Sequence, residues 1–124
     1  MSHNGDTHMS GRQCAVDLTH LARYTGGDEA INAEVLRLFD TQTSEIVGRL
    51  RAILEARDAK SWKEATHTLK GAARGIGAFK LADAAAFAEP IDLVRDRGNA
   101  SLAIQAVETS AQAVQAFIKS YLER

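Results

Sequence analysis

The chain has 124 residues, of which 45% are hydrophobic and 25% charged, with a formal net charge of -1. A chain of this length buries about two-thirds of the surface its unfolded form exposes, so one domain can hold a core without metal or disulfide support. The near-neutral balance excludes bulk attraction to nucleic acid, the apolar content excludes a disordered chain, and no window approaches the roughly eighteen apolar residues of a membrane span. Any electrostatics that matter must be local.

The opening MSHNGDTHMS is polar and lacks the apolar stretch of a secretory signal. The expectation is a flexible polar tail over residues 1–14 and one domain over 15–124, in a soluble cytoplasmic protein. His3 and His8 fall in the tail and read as part of it rather than as a metal site. Cys14 is the lone cysteine, which excludes an internal disulfide framework and suits a reducing compartment.

From Val16 to Tyr24 the spacing of Val16, Leu18 and Leu21 predicts a short helix, ended by Thr25-Gly26-Gly27-Asp28. Glycine at a helix C-terminus followed by an aspartate N-cap is a helix-to-helix connection. The paired glycine is not a phosphate loop, because no strand precedes it and no GK[ST] follows. His20 reads as a surface or partly packed residue.

From Glu29 to about Arg57, Ile31, Val35, Leu38, Phe39, Ile46, Leu50, Ile53 and Leu54 recur at steps of three and four, which predicts a long amphipathic helix. Gly48 costs it about 1 kcal/mol relative to alanine, which a helix of this length absorbs. Ser61 with Glu64 has the form of a capping box, so a third helix starts near Ser61, or a turn earlier if Asp58 caps it. Gly75-Ile76-Gly77 marks its end.

A fourth helix runs from about Ala78, and alanines at 82, 84, 85, 86 and 88 let a neighbouring helix approach closely. Pro90 predicts a kink, or an end and restart, around Glu89-Pro90. Gly98-Asn99 opens the last helix, with Asn99 or Ser101 as N-cap. There Leu102, Ala106, Ala113, Phe117 and Tyr121 form one apolar stripe, widened by Ile104, Val107, Val114 and Ile118. No alternating strand pattern or internal repeat is present. The expected fold is all-α, an antiparallel up-and-down four-helix bundle with an additional short N-terminal helix across one end.

The third helix carries the chemistry. His67, Lys70, Gly71 and Arg74 stand at i, i+3, i+4 and i+7 and share one face, while Trp62, Ala65, Leu69, Ala72 and Ile76 share the other. An imidazole with a reference pKa of about 6.5 is largely neutral at pH 7, so a ring nitrogen is free to attack phosphorus. A phosphohistidine carries close to two negative charges, which Lys70 and Arg74 can offset, and Gly71 leaves a dent for an approaching partner. Glu64, one turn before His67, can hold the imidazole in one tautomer, although the capping box competes for its carboxylate.

The string His67-Thr68-Leu69-Lys70-Gly71-Ala72-Ala73, followed by Ile76-Gly77-Ala78 and Leu81, resembles the signature of histidine-containing phosphotransfer (HPt) domains of two-component phosphorelays. Asp58 and Glu89 fall where that pattern tends to place acidic residues. The resemblance implies a phosphorelay intermediate in which His67 reversibly accepts a phosphoryl group from a receiver-domain aspartate and passes it to another response-regulator aspartate. Lys70 assists the phosphoryl group and Gly71 gives the receiver access. The partners implied are response-regulator receiver domains and a hybrid sensor histidine kinase, without nucleic acid or membrane, and with the protein a monomer. It needs no cofactor of its own and is not an enzyme, because magnesium and the catalytic aspartates belong to the receiver. Docking is expected to rest on Ala73, Ala78 and Phe79 within a charged rim that includes Glu64 and Arg74. Ala88 and Pro90, flanking Glu89, depart from the pattern.

Two other readings stand beside this one. Glu64-Ala65-Thr66-His67 matches the Glu-x-x-His ligand pair of di-iron bundles, but such sites need a second motif and two further inward glutamates, and this pair faces outward. A structural helical-bundle interaction module would bind a partner through the same surface without phosphotransfer.

Overall fold

A computed structural model describes residues 14–124; the expectations for residues 1–13, including His3, His8 and most of the polar tail, lie outside the described residues. The described chain is helical, with α1 at Leu18–Thr25, α2 at Glu29–Ala56, α3 at Ala59–Ile76, α4 at Phe79–Ala88 and α5 at Arg97–Leu122. No strand occurs among the described residues. The all-α class and the short N-terminal helix are as the sequence predicts.

Local chemistry sets each boundary. Asp17 accepts from the backbone N–H groups of Thr19 and His20, so α1 starts at Leu18 rather than at Val16, and Val16 is buried ahead of it. Gly26, at φ 70°, closes α1, and Asp28 caps α2 through the Ile31 N–H. The capping box at Ser61 does not form. Asp58 caps α3 instead, accepting from both the N–H and the hydroxyl of Ser61 at 3.0 and 2.7 Å. Those two bonds, the hydroxyl first, hold the Asp58 carboxyl below the usual range. Pro90 ends α4 rather than kinking it. Asp92 then organises the turn by accepting from the N–H groups of Val94 and Arg95, and α5 restarts at Arg97. Asn99 is therefore inside the first turn of α5, where its amide donates to Asp96, and is not the N-cap.

The four long helices form a closed square: α3 packs on α2 and α4, and α5 packs on α2 and α4, while the diagonal pairs α2–α4 and α3–α5 are not backbone neighbours. Cross-links fix the directions. Asn32, early in α2, donates to the Tyr121 hydroxyl near the end of α5, whereas Arg51 and Glu55, late in α2, pair with Glu108 and Arg97 nearer the start of α5. Trp62 at the start of α3 likewise bonds Ala88 at the end of α4. Both pairs are antiparallel. Helix α1 lies against α2 and α3, tied down by a bond from the Asp17 N–H to the Gly77 carbonyl at 2.9 Å.

The core contains Leu36, Phe39, Ile46, Leu50 and Leu54 of α2, Trp62, Leu69 and Ile76 of α3, Leu81 of α4, and Ile104, Val107, Val114 and Ile118 of α5. Each such side chain contributes about 1.5–3 kcal/mol by leaving water. The expected inward stripe of α5 is rotated: Leu102 is 62% exposed, and Ala106 and Ala113 also face solvent. The wider set with Ala100, Ala103 and Ala111 faces the core. On α2, Leu36 replaces Leu38, which is 67% exposed, as the residue pointing inward.

Candidate functional site

The buried face of α3 leaves His67 outward, as its helical spacing requires, with 69% of its side chain exposed. The fold adds a partner from another helix. Glu89, the C-cap of α4, places Oε1 2.8 Å from Lys70 Nζ and Oε2 3.3 Å from His67 Nδ1. One carboxylate thus bridges the imidazole and the ammonium, each through its own oxygen. Only a fifth of the Glu89 and Lys70 side chains is exposed, so this pair is more sheltered than an ordinary surface salt bridge. The Lys70 hydrogen bond is the main cause that holds the Glu89 carboxyl below its usual range, against an opposing contribution from burial.

Glu89 reaches this place because α4 stops there. Its N–H closes the last helical bond, to Ala85 at 3.0 Å, and Pro90 cannot supply the next donor. Ala88, one residue earlier, accepts from the buried Trp62 indole at 2.8 Å.

Glu64 is not the partner of the imidazole. It lines a groove toward α2 with Ile46, Arg49 and Ile53, while the carboxylate beside His67 comes from α4. Two docking candidates are also corrected. Ala73 and Ala78 are both 0% exposed, because small side chains suit the close crossing of α3, α4 and α1, and neither side chain can meet a partner. Gly71, Arg74 and Phe79 do come together, lining a groove of about 530 Å³ with His20, Tyr24, Gly75 and Asp83. The rings of His20 and Phe79 meet edge-on at 5.0 Å, and those of His20 and Tyr24 at 5.8 Å. Tyr24 is 70% exposed, and neither it nor His20 was identifiable as a site residue from its local sequence. A Cβ at Gly71 would meet nothing within 4 Å, so the bundle itself does not require glycine there.

Among the described residues no group of three or more His, Cys, Asp or Glu side chains is gathered closely enough to hold a metal ion. No helix among them is long and apolar enough to cross a membrane.

A family model, Hpt domain, matches residues 34–122. The chain belongs to the Hpt domain family. Hpt domains carry phosphoryl groups on histidine in two-component phosphorelays, interact there with receiver domains and kinases, and are carriers rather than catalysts. The match spans α3, α4, α5 and most of α2, and so includes His67, Lys70, Gly71 and Glu89, whereas α1 lies outside it. Comparison with the curated proteins and with the solved structures returned no match.

Proposed function

We propose that this Hpt protein is a phosphorelay intermediate in which His67 takes a phosphoryl group from a receiver aspartate and delivers it to the aspartate of another response regulator. The observation that carries this reading is the placement of Glu89 at Nδ1 of an otherwise exposed His67. With the ring proton on Nδ1, on the side of the carboxylate, the lone pair belongs to Nε2, which has no protein partner among the described residues.

Nε2 attacks the phosphorus of the receiver's aspartyl phosphate; the phosphorus–oxygen bond to that aspartate breaks as the phosphorus–nitrogen bond forms. The ring then carries a positive charge, with its proton still on Nδ1, and Glu89 stabilises it. An ammonium has three donors, so with one committed to Glu89, Lys70 keeps two for the phosphoryl oxygens. In-line transfer needs positioning and charge stabilisation more than covalent help from the protein, and the receiver supplies the magnesium. Return of the group to a second aspartate is the same step reversed. Gly71 and the groove formed by Arg74, Phe79, His20 and Tyr24 supply the contact surface.

The test is incubation of the protein with a phosphorylated receiver domain. Label is expected on the wild type and absent from His67→Gln. Lys70→Ala is expected to retain transfer at a rate reduced about ten- to a hundredfold, because the nucleophile stays while one charge-assisted contact of about 1.5–3 kcal/mol is removed. Label on His67→Gln equal to the wild type would overturn the assignment.

A further inference from the structure

The identity of the group that holds Glu89 in register is carried by a contact on the opposite side of the helix from His67. Trp62 is 1% exposed, and its only polar atom, the indole N–H, donates to the Ala88 carbonyl at 2.8 Å. The Ala88 carbonyl and the Glu89 N–H belong to one peptide unit, whose six atoms lie in a plane that includes the Cα of Glu89. The oxygen of that plane accepts from Trp62 and, at 3.2 Å, from the Ile91 N–H, of which only the indole comes from α3, and the bond from the Glu89 N–H to Ala85 fixes its nitrogen. Beyond it the α-helix does not continue: Pro90 brings no N–H, and Ile91 closes only a tight turn back to Ala88. Trp62 and His67 ride on the same rigid helix, so the indole bond sets the distance between the imidazole and the end of α4.

We propose that Trp62 is a positioning residue of the phosphoacceptor site, acting through the Ala88–Glu89 peptide to keep the Glu89 carboxylate on His67 Nδ1 and Lys70 Nζ. Thr66 braces the same turn from within α3, its buried hydroxyl donating to the Trp62 carbonyl at 2.8 Å. This inference rests on the phosphocarrier reading for its consequence in transfer, but its geometric part concerns the unphosphorylated protein alone.

The test replaces Trp62 with the isosteric analogue β-(3-benzothienyl)alanine, in which sulfur stands for the N–H, and uses Trp62→Phe as a second variant, with urea unfolding to establish that each is folded. Two readouts apply. The 15N shifts of the His67 ring report which nitrogen carries the proton, and initial rates from a phosphorylated receiver report transfer. In the analogue, the neutral ring is expected to move from the Nδ1–H form toward a mixture, and transfer to fall about fivefold, the effect of losing one hydrogen bond. In a Glu89→Ala background the analogue is expected to change neither, because nothing remains to be positioned. An unaltered tautomer in the analogue would overturn the proposal, as would an equal loss of rate in both backgrounds, which marks a general structural role. If the wild type accepts no phosphoryl group from any phosphorylated receiver, the phosphocarrier reading fails, while the tautomer measurement still decides the role of Trp62.

Discussion

Glu89 Oε2 lies 3.3 Å from His67 Nδ1, although the two residues sit on different helices and neither shares a turn with the other. The carboxylate is kept charged mainly by its hydrogen bond to Lys70, with His67 a smaller contributor. Its folded value is depressed, so at a pH between the folded and unfolded values the native chain stays ionised while the unfolded chain binds a proton. The stabilisation from this group is therefore complete above the ordinary glutamate value, near 4.5, and is lost as pH falls through the lower folded one. Carboxyl 13C titration is expected to place the Glu89 midpoint below that ordinary value, and Lys70→Ala to raise it more than His67→Ala does. A midpoint indifferent to Lys70→Ala would overturn the ammonium as the main cause of the depression.

Gly71 separates stability from function. It is an exposed helix-interior residue with open space where a Cβ would sit, so the bundle gains nothing from glycine there. Gly71→Ala is expected to stabilise the fold by about 0.5–1 kcal/mol, through better helix propensity and a less flexible unfolded chain. Transfer is expected to fall all the same, and further in Gly71→Trp, because the side chain intrudes where the receiver approaches. Urea midpoints and initial transfer rates measured on the same samples check both halves.

Gly77 behaves in the opposite way. Its φ of 83° lies in the left-handed region, and a Cβ there would come within 2.7 Å of the Asp17 carbonyl oxygen. The same approach lets the Asp17 N–H reach the Gly77 carbonyl, fastening the start of α1 to the end of α3. Gly77→Ala is expected to destabilise by about 2 kcal/mol or more, from backbone strain plus the clash. Hydrogen exchange should show the loss of protection concentrated in α1.

The helices were legible from the sequence because spacings of three and four survive any detail of packing. Which of two adjacent stripes faces inward was not. On α5 both the Leu102 set and the Ile104 set are apolar, and only the shape of α2 and α4 turns Ala103 and Ile104 inward and leaves Leu102 in water. Capping was ambiguous for a similar reason: Asp58 and Ser61 are both competent caps, and their mutual hydrogen bond leaves Asp58 as the acceptor for the helix. At the site, the shared face of His67, Lys70, Gly71 and Arg74 follows from helical geometry alone. The imidazole's partner does not, since the register of α4 against α3 depends on a tertiary bond between Trp62 and Ala88. Ala73 and Ala78 looked like docking residues because they are small and near His67, yet small residues are also what permits helices to cross closely, and that use prevails here.

A buried polar chain closes the end of the bundle beneath α1. The Thr25 hydroxyl meets Asn32 Oδ1 at 2.5 Å, and Asn32 Nδ2 donates to the Tyr121 hydroxyl at 3.2 Å, with all three residues buried. Tyr121→Phe removes one acceptor and leaves the Asn32 amide facing a ring edge, away from water. The expected cost is about 1–3 kcal/mol, the desolvation of an unpaired buried polar group, rather than the smaller net value of one hydrogen bond. Asn32→Leu in the Tyr121→Phe background is expected to recover part of that loss, because replacing both partners removes the orphaned donor. Urea unfolding of the two single variants and the double variant gives the coupling directly. Both polar groups lie on the α2 and α5 termini, distant in the chain from His67, so transfer measured well below the unfolding midpoint is expected to stay within about twofold of wild type.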